Sequence, residues 1–414
     1  MQAKRIVVVG GGPAGMMAAI RASELKQNVI LLEKNPSLGK KLLLSGKGRC
    51  NITNACGLEL FLKRFSKNGQ FLRDSFKAFF NTGLIDFFKK RGLHLKVERQ
   101  QRVFPATDRS DSVLKVLEAE LKKNKVKIIS GAWVRKILTE RSNVKEAVLE
   151  DGKTIPCDRL ILATGGVSYR FTGSTGEGLS IAKGLGHRMV LYRPGLVPLV
   201  TTQNYPKLLE GLTLKNIRLK FICGKKHIIS DMGELLFTGF GISGPLVLSL
   251  SGKITEWLHE GKKVSVAIDL KPALSMEQID ARFLREFKVS PGRQIKNTLK
   301  DMLPQRMIGL FIDIAKIDPG KRVNQISQAE RRDMASLFKG FGLDIKGSRP
   351  IEEGMVTRGG VSLKDIDPRT MESRLIKGLY FAGEMIDVDA DTGGFNLQAA
   401  FSTGYLAGQS AALN

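Results

Sequence analysis

Gly10, Gly12 and Gly15, in the run Gly10-Gly11-Gly12-Pro13-Ala14-Gly15, have the spacing of a loop that cradles a diphosphate. Gly10 is placed for the tight turn, Gly12 for close approach of backbone to a pyrophosphate, and Gly15 for close packing of helix on strand. Pro13 and Ala14 open a helix whose unpaired N–H groups and dipole would hold the phosphates. An acid follows about 20 residues later at Glu33, where it can accept from ribose hydroxyls and repel a 2′-phosphate. The glycines alone signal little; with a strand before them, a helix after them and the acid beyond, they specify a dinucleotide.

A second constellation decides which dinucleotide. Gly383-Glu384 follows a buried strand, and Asp391-Thr392-Gly393-Gly394-Phe395-Asn396 precedes a helix. A second helix N-terminus returning to the same sheet suits a flavin ring, because its amides can meet the pyrimidine oxygens and stabilise the anionic reduced form. FAD is the expected cofactor; a glycine turn that only caps the last helix is the plainer alternative. Gly239-Phe240-Gly241-Ile242-Ser243-Gly244 repeats the glycine spacing. Pro245 directly after it, and Asp269 beyond the usual interval, argue for a tight backbone turn over a nicotinamide site.

The elements that must carry these loops alternate. Ile6–Val9 reads as a strand, Pro13 to about Lys26 as a helix with Ala14, Ala18 and Ala19 facing a sheet, and Val29–Leu32 as a second strand. From about Leu60 to Lys127 the chain reads as helical and basic. Its phenylalanines, Phe61, Phe65, Phe71, Phe76, Phe79, Phe80, Phe87 and Phe88, are at core spacing and not set as base-stacking platforms. Arg159–Ala163 returns to the sheet at Thr164-Gly165-Gly166. After Gly186, Leu196–Thr201, Arg218–Cys223 and Lys263–Leu270 suggest a β-rich insertion, and Met276 to Phe341 a helical stretch within it. Leu379–Ala382 resumes the buried strand and Gly404–Ala412 closes the chain as a small-residue helix. The expected fold class is α/β, with a doubly wound parallel sheet.

Composition narrows the partners. The 414 residues are ordinary in hydrophobic content, but Lys and Arg exceed Asp and Glu by 26. That field suits a protein that docks on phosphates, and a nucleic-acid partner is expected; a proteome with basic bias would explain it more plainly. The scattered cysteines, Cys50, Cys56, Cys157 and Cys223, and the unclustered histidines give no disulfide framework and no metal site. The first strand begins almost at the N-terminus and no apolar run is long enough to span a bilayer. A cytoplasmic protein without a membrane is therefore expected, of undetermined oligomeric state.

Taken together, these motifs resemble the BaiN/RdsA family of FAD-dependent oxidoreductases, also known as aminoacetone-oxidase-like flavoproteins. The resemblance rests on Gly39-Lys40-Lys41 and Ser45-Gly46-Lys47-Gly48-Arg49-Cys50-Asn51-Ile52-Thr53-Asn54. It extends through Arg102-Val103-Phe104-Pro105, Ala163-Thr164-Gly165-Gly166, Gly173-Ser174-Thr175-Gly176, Gly233 to Thr238, Ser243-Gly244-Pro245, Val356-Thr357 with Gly359-Gly360-Val361, and Gly383 to Asn396. Departures are Gln101 for a usual glycine, Phe395 for a common tyrosine and Ala399 for a common tryptophan. They leave cofactor binding intact and bear on the substrate pocket.

The resemblance implies a discontinuous Rossmann-like FAD-binding domain over 1–190 and 350–414. A β-barrel-like insert over 191–273 and 335–349 would carry a small helical insert over 274–334. It implies further cofactor contacts from Lys34, Lys41, Gly46, Gly48, Arg49, Cys50, Asn51, Val134, Ala163, Thr164, Gly165, Asp387, Gly393, Gly394, Asn396 and Leu397. There is no dedicated nicotinamide domain, so NAD(P)H would act as a diffusible reductant.

The activities it implies are reduction of carbonyl-conjugated double bonds in bile-acid-like steroids, amine oxidation, and dihydrouridine formation in large-subunit ribosomal RNA. The first and last are one chemistry: hydride from reduced flavin to the β carbon, and a proton to the carbon beside the carbonyl. The charge favours RNA, gripped by basic residues at Arg282–Lys300 and at Lys122, Lys123, Lys125 and Lys127, with the target base out of its stack. A small-molecule reductase or oxidase, and an RNA-binding assembly factor with structural FAD, are the competing readings; a transfer-RNA substrate also stays open. For the proton donor Cys50 is expected, with Arg49 beside it easing ionisation. Ser45, Tyr169 and Arg102 are alternatives, and a cysteine that merely packs the loop is the plain one.

Overall fold

The computed structural model describes residues 3–414 and divides them into two compact units, one of residues up to Gly195 with Pro350–Asn414, the other Leu196–Arg349.

The first unit is built on a five-stranded parallel sheet. Its order is Leu379–Phe381, Arg159–Leu162, Arg5–Val9, Asn28–Glu33, Lys127–Ser130. Ile6, Val7 and Val8 in the central strand and Leu160, Ile161 and Leu162 beside them have no exposure. Such continuous apolar runs mark strands covered on both faces. The first helix, Pro13–Glu24, and the last, Phe395–Leu413, pack on each other. Gly404 and Gly408 let the last helix come onto the carbonyls of Ala14 and Ala18, where a Cβ would overlap backbone. That contact brings both helix N-termini to the same sheet.

Between Leu58 and Lys123 four helices of varied length, Leu58–Leu62, Arg73–Ala78, Asn81–Lys89 and Ser110–Lys123, take up part of the stretch read as helical. Leu95–Glu98 and Arg102–Pro105 are instead strands, paired with each other, and the second pairs also with Thr53–Asn54. The phenylalanines there are core: Phe61, Phe76 and Phe88 are fully buried, and Phe61 meets Phe76, Phe80 and Phe395 edge-to-face at 4.7–5.2 Å.

The second unit is an antiparallel sheet. The strand Thr213–Cys223 pairs with Lys226–Ile229, Gly233–Thr238 and Val264–Asp269, so the ladder through Gly241–Ser243, Leu199–Thr201 and Phe341–Ser348 returns to where it started. Helices Met276–Val289, Gln305–Ile314 and Gln328–Lys339 lie within one apolar core with these strands, Phe283, Phe311 and Phe338 packing with Phe221 and Ile268. Strands and helices of the insertion therefore share one apolar core. The repeated glycine spacing at Gly239–Gly244 spans a hairpin turn and a short antiparallel strand. Gly241 and Gly244 are there because neighbouring backbone at Leu199 and Leu235–Leu236 leaves no room for a Cβ. This is the backbone turn, without the strand–turn–helix of a nicotinamide site.

Candidate active site

The first strand delivers the chain to Gly10, whose φ of +108° and N–H bond to the Leu32 carbonyl at 2.8 Å close a turn over the second strand. A Cβ on Gly10 would lie 2.5 Å from the Ala163 carbonyl oxygen, and one on Gly15 would overlap the Gly10 carbonyl. Gly15 thus packs the helix on the turn itself and on the Ala163 methyl. Gly12 differs: a Cβ there meets nothing within 4 Å. It is the N-cap of the first helix, with Pro13 following, no side-chain cap and no acid in the first turn. Open space in front of unpaired N–H groups is the requirement for an anion.

Glu33 is buried at the end of the second strand. Its carboxylate accepts from Gly11 N–H at 2.6 Å and from the Asn35 N–H and Nδ2 at 2.8 and 2.7 Å. It braces the glycine turn while keeping lone-pair capacity for a ribose hydroxyl. Lys34, expected at the cofactor, ion-pairs with Glu177 at 3.0 Å and bonds Thr175. Thr175, Glu177 and Val134 line a cavity of about 430 Å³ beside it. Lys34 is a strut of that wall, its charge already satisfied.

Lys41 and Glu384, both expected to touch the cofactor, pair with each other at 2.7 Å. Glu384 also accepts from the Ser168 hydroxyl and the Thr357 N–H, each at 2.8 Å, and Thr357 Oγ1 accepts from Val167 N–H. This carboxylate joins the short helix Lys40–Leu44, the loop after Thr164-Gly165-Gly166, and the strand Val356–Val361. Gly166 has no room for a Cβ against the Thr357 side chain. Gly165 takes φ +77°, and the Thr164 hydroxyl lies 3.2 Å from the Met385 sulfur. Ser168 and Thr357 were absent from the sequence-predicted site. The Val356-Thr357 motif was the available signal for the second.

The loop Ser45–Asn54 has four left-handed residues, Gly46, Lys47, Gly48 and Cys50, with φ between +58° and +83°. Cys50 N–H returns to the Ser45 carbonyl, Ile52 N–H to Val103, and the Asn54 amide spans the carbonyls of Gln100 (2.9 Å) and Gly393 (3.2 Å). Gly394, at φ +98°, is the uncapped start of the last helix, and a Cβ there would overlap Thr53 backbone. The loop therefore lies directly against that N-terminus. Asn51 Oδ1 is buried in it without a hydrogen-bond partner. Leu397, half-buried in the first turn of the helix, packs on the core. Asn396 does not offer its amide outward: Oδ1 accepts from Ala390 N–H and Nδ2 donates to the Ala390 carbonyl, both at 2.9 Å. It holds the turn that precedes the helix. Burial, reinforced by Asp389, raises the Asp387 carboxyl above its usual range; Asn68 Nδ2 donates to it at 3.0 Å.

The candidate proton donors differ in exposure, not in protonation: both Cys50 and Tyr169 hold their protons, and only Tyr169 is partly open to solvent. Cys50 is fully buried in the core, and burial pushes its thiol up to about 12. Arg49 does not ease its ionisation, because the guanidinium turns to Glu98 and, at 2.7 Å, to Asp108, over the Phe104 ring. Cys50 packs the loop. Ser45 spends its hydroxyl proton on the Leu42 carbonyl at 2.7 Å. Tyr169 is half-buried and in left-handed backbone, φ +50°, its ring 5.9 Å from the Lys41 ammonium. Burial raises this phenol above its ordinary value, so it holds its proton at neutral pH.

Two uncapped helix N-termini on one sheet, open space at Gly12 and an orphaned buried acceptor at Asn51 fit FAD: phosphates at the first helix, the ring's polar edge at the last. A family model described as the HI0933-like protein Rossmann domain matches residues 4–410. The chain is 33% identical over 412 residues to a 3-dehydro-bile acid delta(4,6)-reductase of Clostridium scindens, with 99% of each chain covered. It is 29% identical over 407 residues to the ribosomal RNA dihydrouridine synthase of Escherichia coli K12, covering 97% of this chain and 96% of that one. Among solved structures, 3-ketosteroid delta1-dehydrogenase of Sterolibacterium denitrificans matches with a TM-score of 0.53 at 14% identity, all of both chains covered. That last likeness concerns the fold.

Proposed function

The chain belongs to the HI0933-like family of FAD-dependent oxidoreductases, and from that premise we propose that it reduces uridine to dihydrouridine in large-subunit ribosomal RNA. The reaction adds a hydride to C6 and a proton to C5 of the uracil ring, and NAD(P)H is oxidised. Bound FAD would supply the hydride. The protein's own groups do the rest. The N-termini at Gly12 and Gly394 bind the cofactor's negative charge, Asn51 Oδ1 accepts an N–H, and Glu33 disfavours a 2′-phosphate. The Tyr169 phenol, protonated and partly open to solvent, gives the proton to C5.

The observation that carries the RNA substrate is the excess of 26 positive charges, held by side chains in both units. Arg285, Lys288, Lys296 and Lys300 in the second unit, and Lys122, Lys125 and Lys127 in the first, are exposed and make no ion pair among the described residues. Arg282 and Arg293, by contrast, are drawn in around Asp301. Unpaired cations are what a polyphosphate chain neutralises.

A second reading is reduction of a small steroid enone, which the 33% identity to the bile-acid reductase favours. Anaerobic reoxidation of the reduced protein separates the two. The RNA reading expects unmodified ribosomal RNA to reoxidise it and an unsaturated 3-ketosteroid not to; the reverse result replaces RNA with the steroid.

A further inference from the structure

Beside the Ser45–Asn54 loop the chain makes a turn at a conformational cost. Gln100 and Gln101 follow one another in left-handed backbone, φ +60° and +57°, which is disfavoured for residues with a Cβ. Both are exposed; their backbone carbonyls accept hydrogen bonds, and Arg102 Nε donates to the Arg99 carbonyl at 3.1 Å, leaving the terminal nitrogens of its guanidinium outward. Asn54 Nδ2 donates to the Gln100 carbonyl at 2.9 Å and Ala55 N–H to the Gln101 carbonyl at 2.8 Å. Both carboxamides are left to the solvent. Because Asn54 also donates to Gly393, one side chain ties this turn to the start of the last helix.

Two arginines flank the glutamines. The nearest acids are already spent: Glu98 on Arg49, and Asp108 on Arg49 and Lys96. Arg99 and Arg102 therefore lack an ion pair among the described residues, and the Arg102 guanidinium lies 5.8 Å from the Phe104 ring centroid. A carboxamide presents a donor and an acceptor spaced to match the edge of a nucleobase, and a guanidinium grips a phosphodiester. Phosphate contacts fix register and base contacts specify sequence. Cation, amide, amide, cation along one exposed turn supplies both kinds, next to the loop that meets the cofactor site.

We propose that the Arg99–Arg102 turn is a base-reading element. The Gln100 and Gln101 carboxamides hydrogen-bond the edges of unstacked RNA bases flanking the target uridine, while Arg99 and Arg102 hold the adjoining phosphates. This rests on the RNA reading above and narrows it from overall charge to an address. The left-handed backbone leaves both glutamines exposed, and residues held in such conformations cluster at functional sites.

The informative variant is Gln100→Gly/Gln101→Gly, since glycine relaxes a left-handed backbone and the fold gains nothing to fear from it. An unmodified transcript of large-subunit ribosomal RNA is the probe, with Tm and the rate of flavin reduction by NAD(P)H as controls. The expected result is a KM for the transcript raised by about tenfold or more. Dihydrouridine spreads to neighbouring uridines, and both controls are unchanged. Arg99→Ala and Arg102→Ala should each lower the salt slope of binding by about one without that spread. Unaltered KM and an unaltered modification site in the glycine variant overturn the inference and leave the RNA reading standing. A wild-type protein that forms no dihydrouridine in the transcript overturns both.

Discussion

At the scale of single residues, the proton donor is the least legible part of the site, because burial and partners decide it. Cys50 is a thiol pushed up to about 12 by burial, while its supposed helper Arg49 is engaged by two carboxylates. Neither fact is visible in a string where the two residues are neighbours. Tyr169 carries its proton and reaches solvent. Tyr169→Phe should lower kcat for uridine reduction by about a hundredfold with the FAD spectrum and KM little changed. In the wild type kcat should fall at alkaline pH as the phenol ionises, and that limb should vanish in the variant. Cys50→Ala should keep kcat within about a factor of two while costing about 1–2 kcal/mol of stability in denaturant unfolding. If Cys50→Ala loses kcat and Tyr169→Phe does not, the donor is the cysteine. Lys34, Lys41, Glu384 and Asn396 teach the same lesson. Residue type and spacing single them out, but their partners come from distant segments, so their bonds to one another could not be read from the sequence.

At the scale of elements, the β-α-β start, the sheet strands and both glycine turns were legible because buried parallel strands read as unbroken apolar runs. Leu95–Glu98 and Arg102–Pro105 were not: at four residues each they are too short for a period, and the partner on the far side of the second, Thr53–Asn54, comes from elsewhere in the chain. The glycine turn makes a sharp test of element packing. Gly12→Ala adds a methyl to space left for phosphate and should leave the Tm of the FAD-free protein unchanged, whereas Gly15→Ala drives one into the Gly10 carbonyl. The second should cost about 1–3 kcal/mol and release FAD, followed by flavin fluorescence and thermal unfolding. Equal behaviour of the two would mean that the turn does not pack as described.

At the scale of the whole molecule, the interruption of one unit by another was legible from the change of pattern after Gly186, and the units divide at Gly195 and Arg349. The shared core of the strands and helices in the insertion was not, since it gathers residues such as Phe221, Phe283 and Phe338 that sequence order separates. Net charge belongs to this scale too, because no single lysine decides the substrate and the sum does. The most direct measurement is mass spectrometry of digested ribosomal RNA from cells with and without this gene, complemented by the wild type or by Gly12→Glu. A Cβ there meets nothing within 4 Å, and that variant carries a carboxylate toward the phosphate space. Dihydrouridine should disappear from a large-subunit fragment, return with the wild type and stay absent with Gly12→Glu. Ribosomal RNA fragments unchanged by loss of the gene would contradict the account and turn the search to small enones.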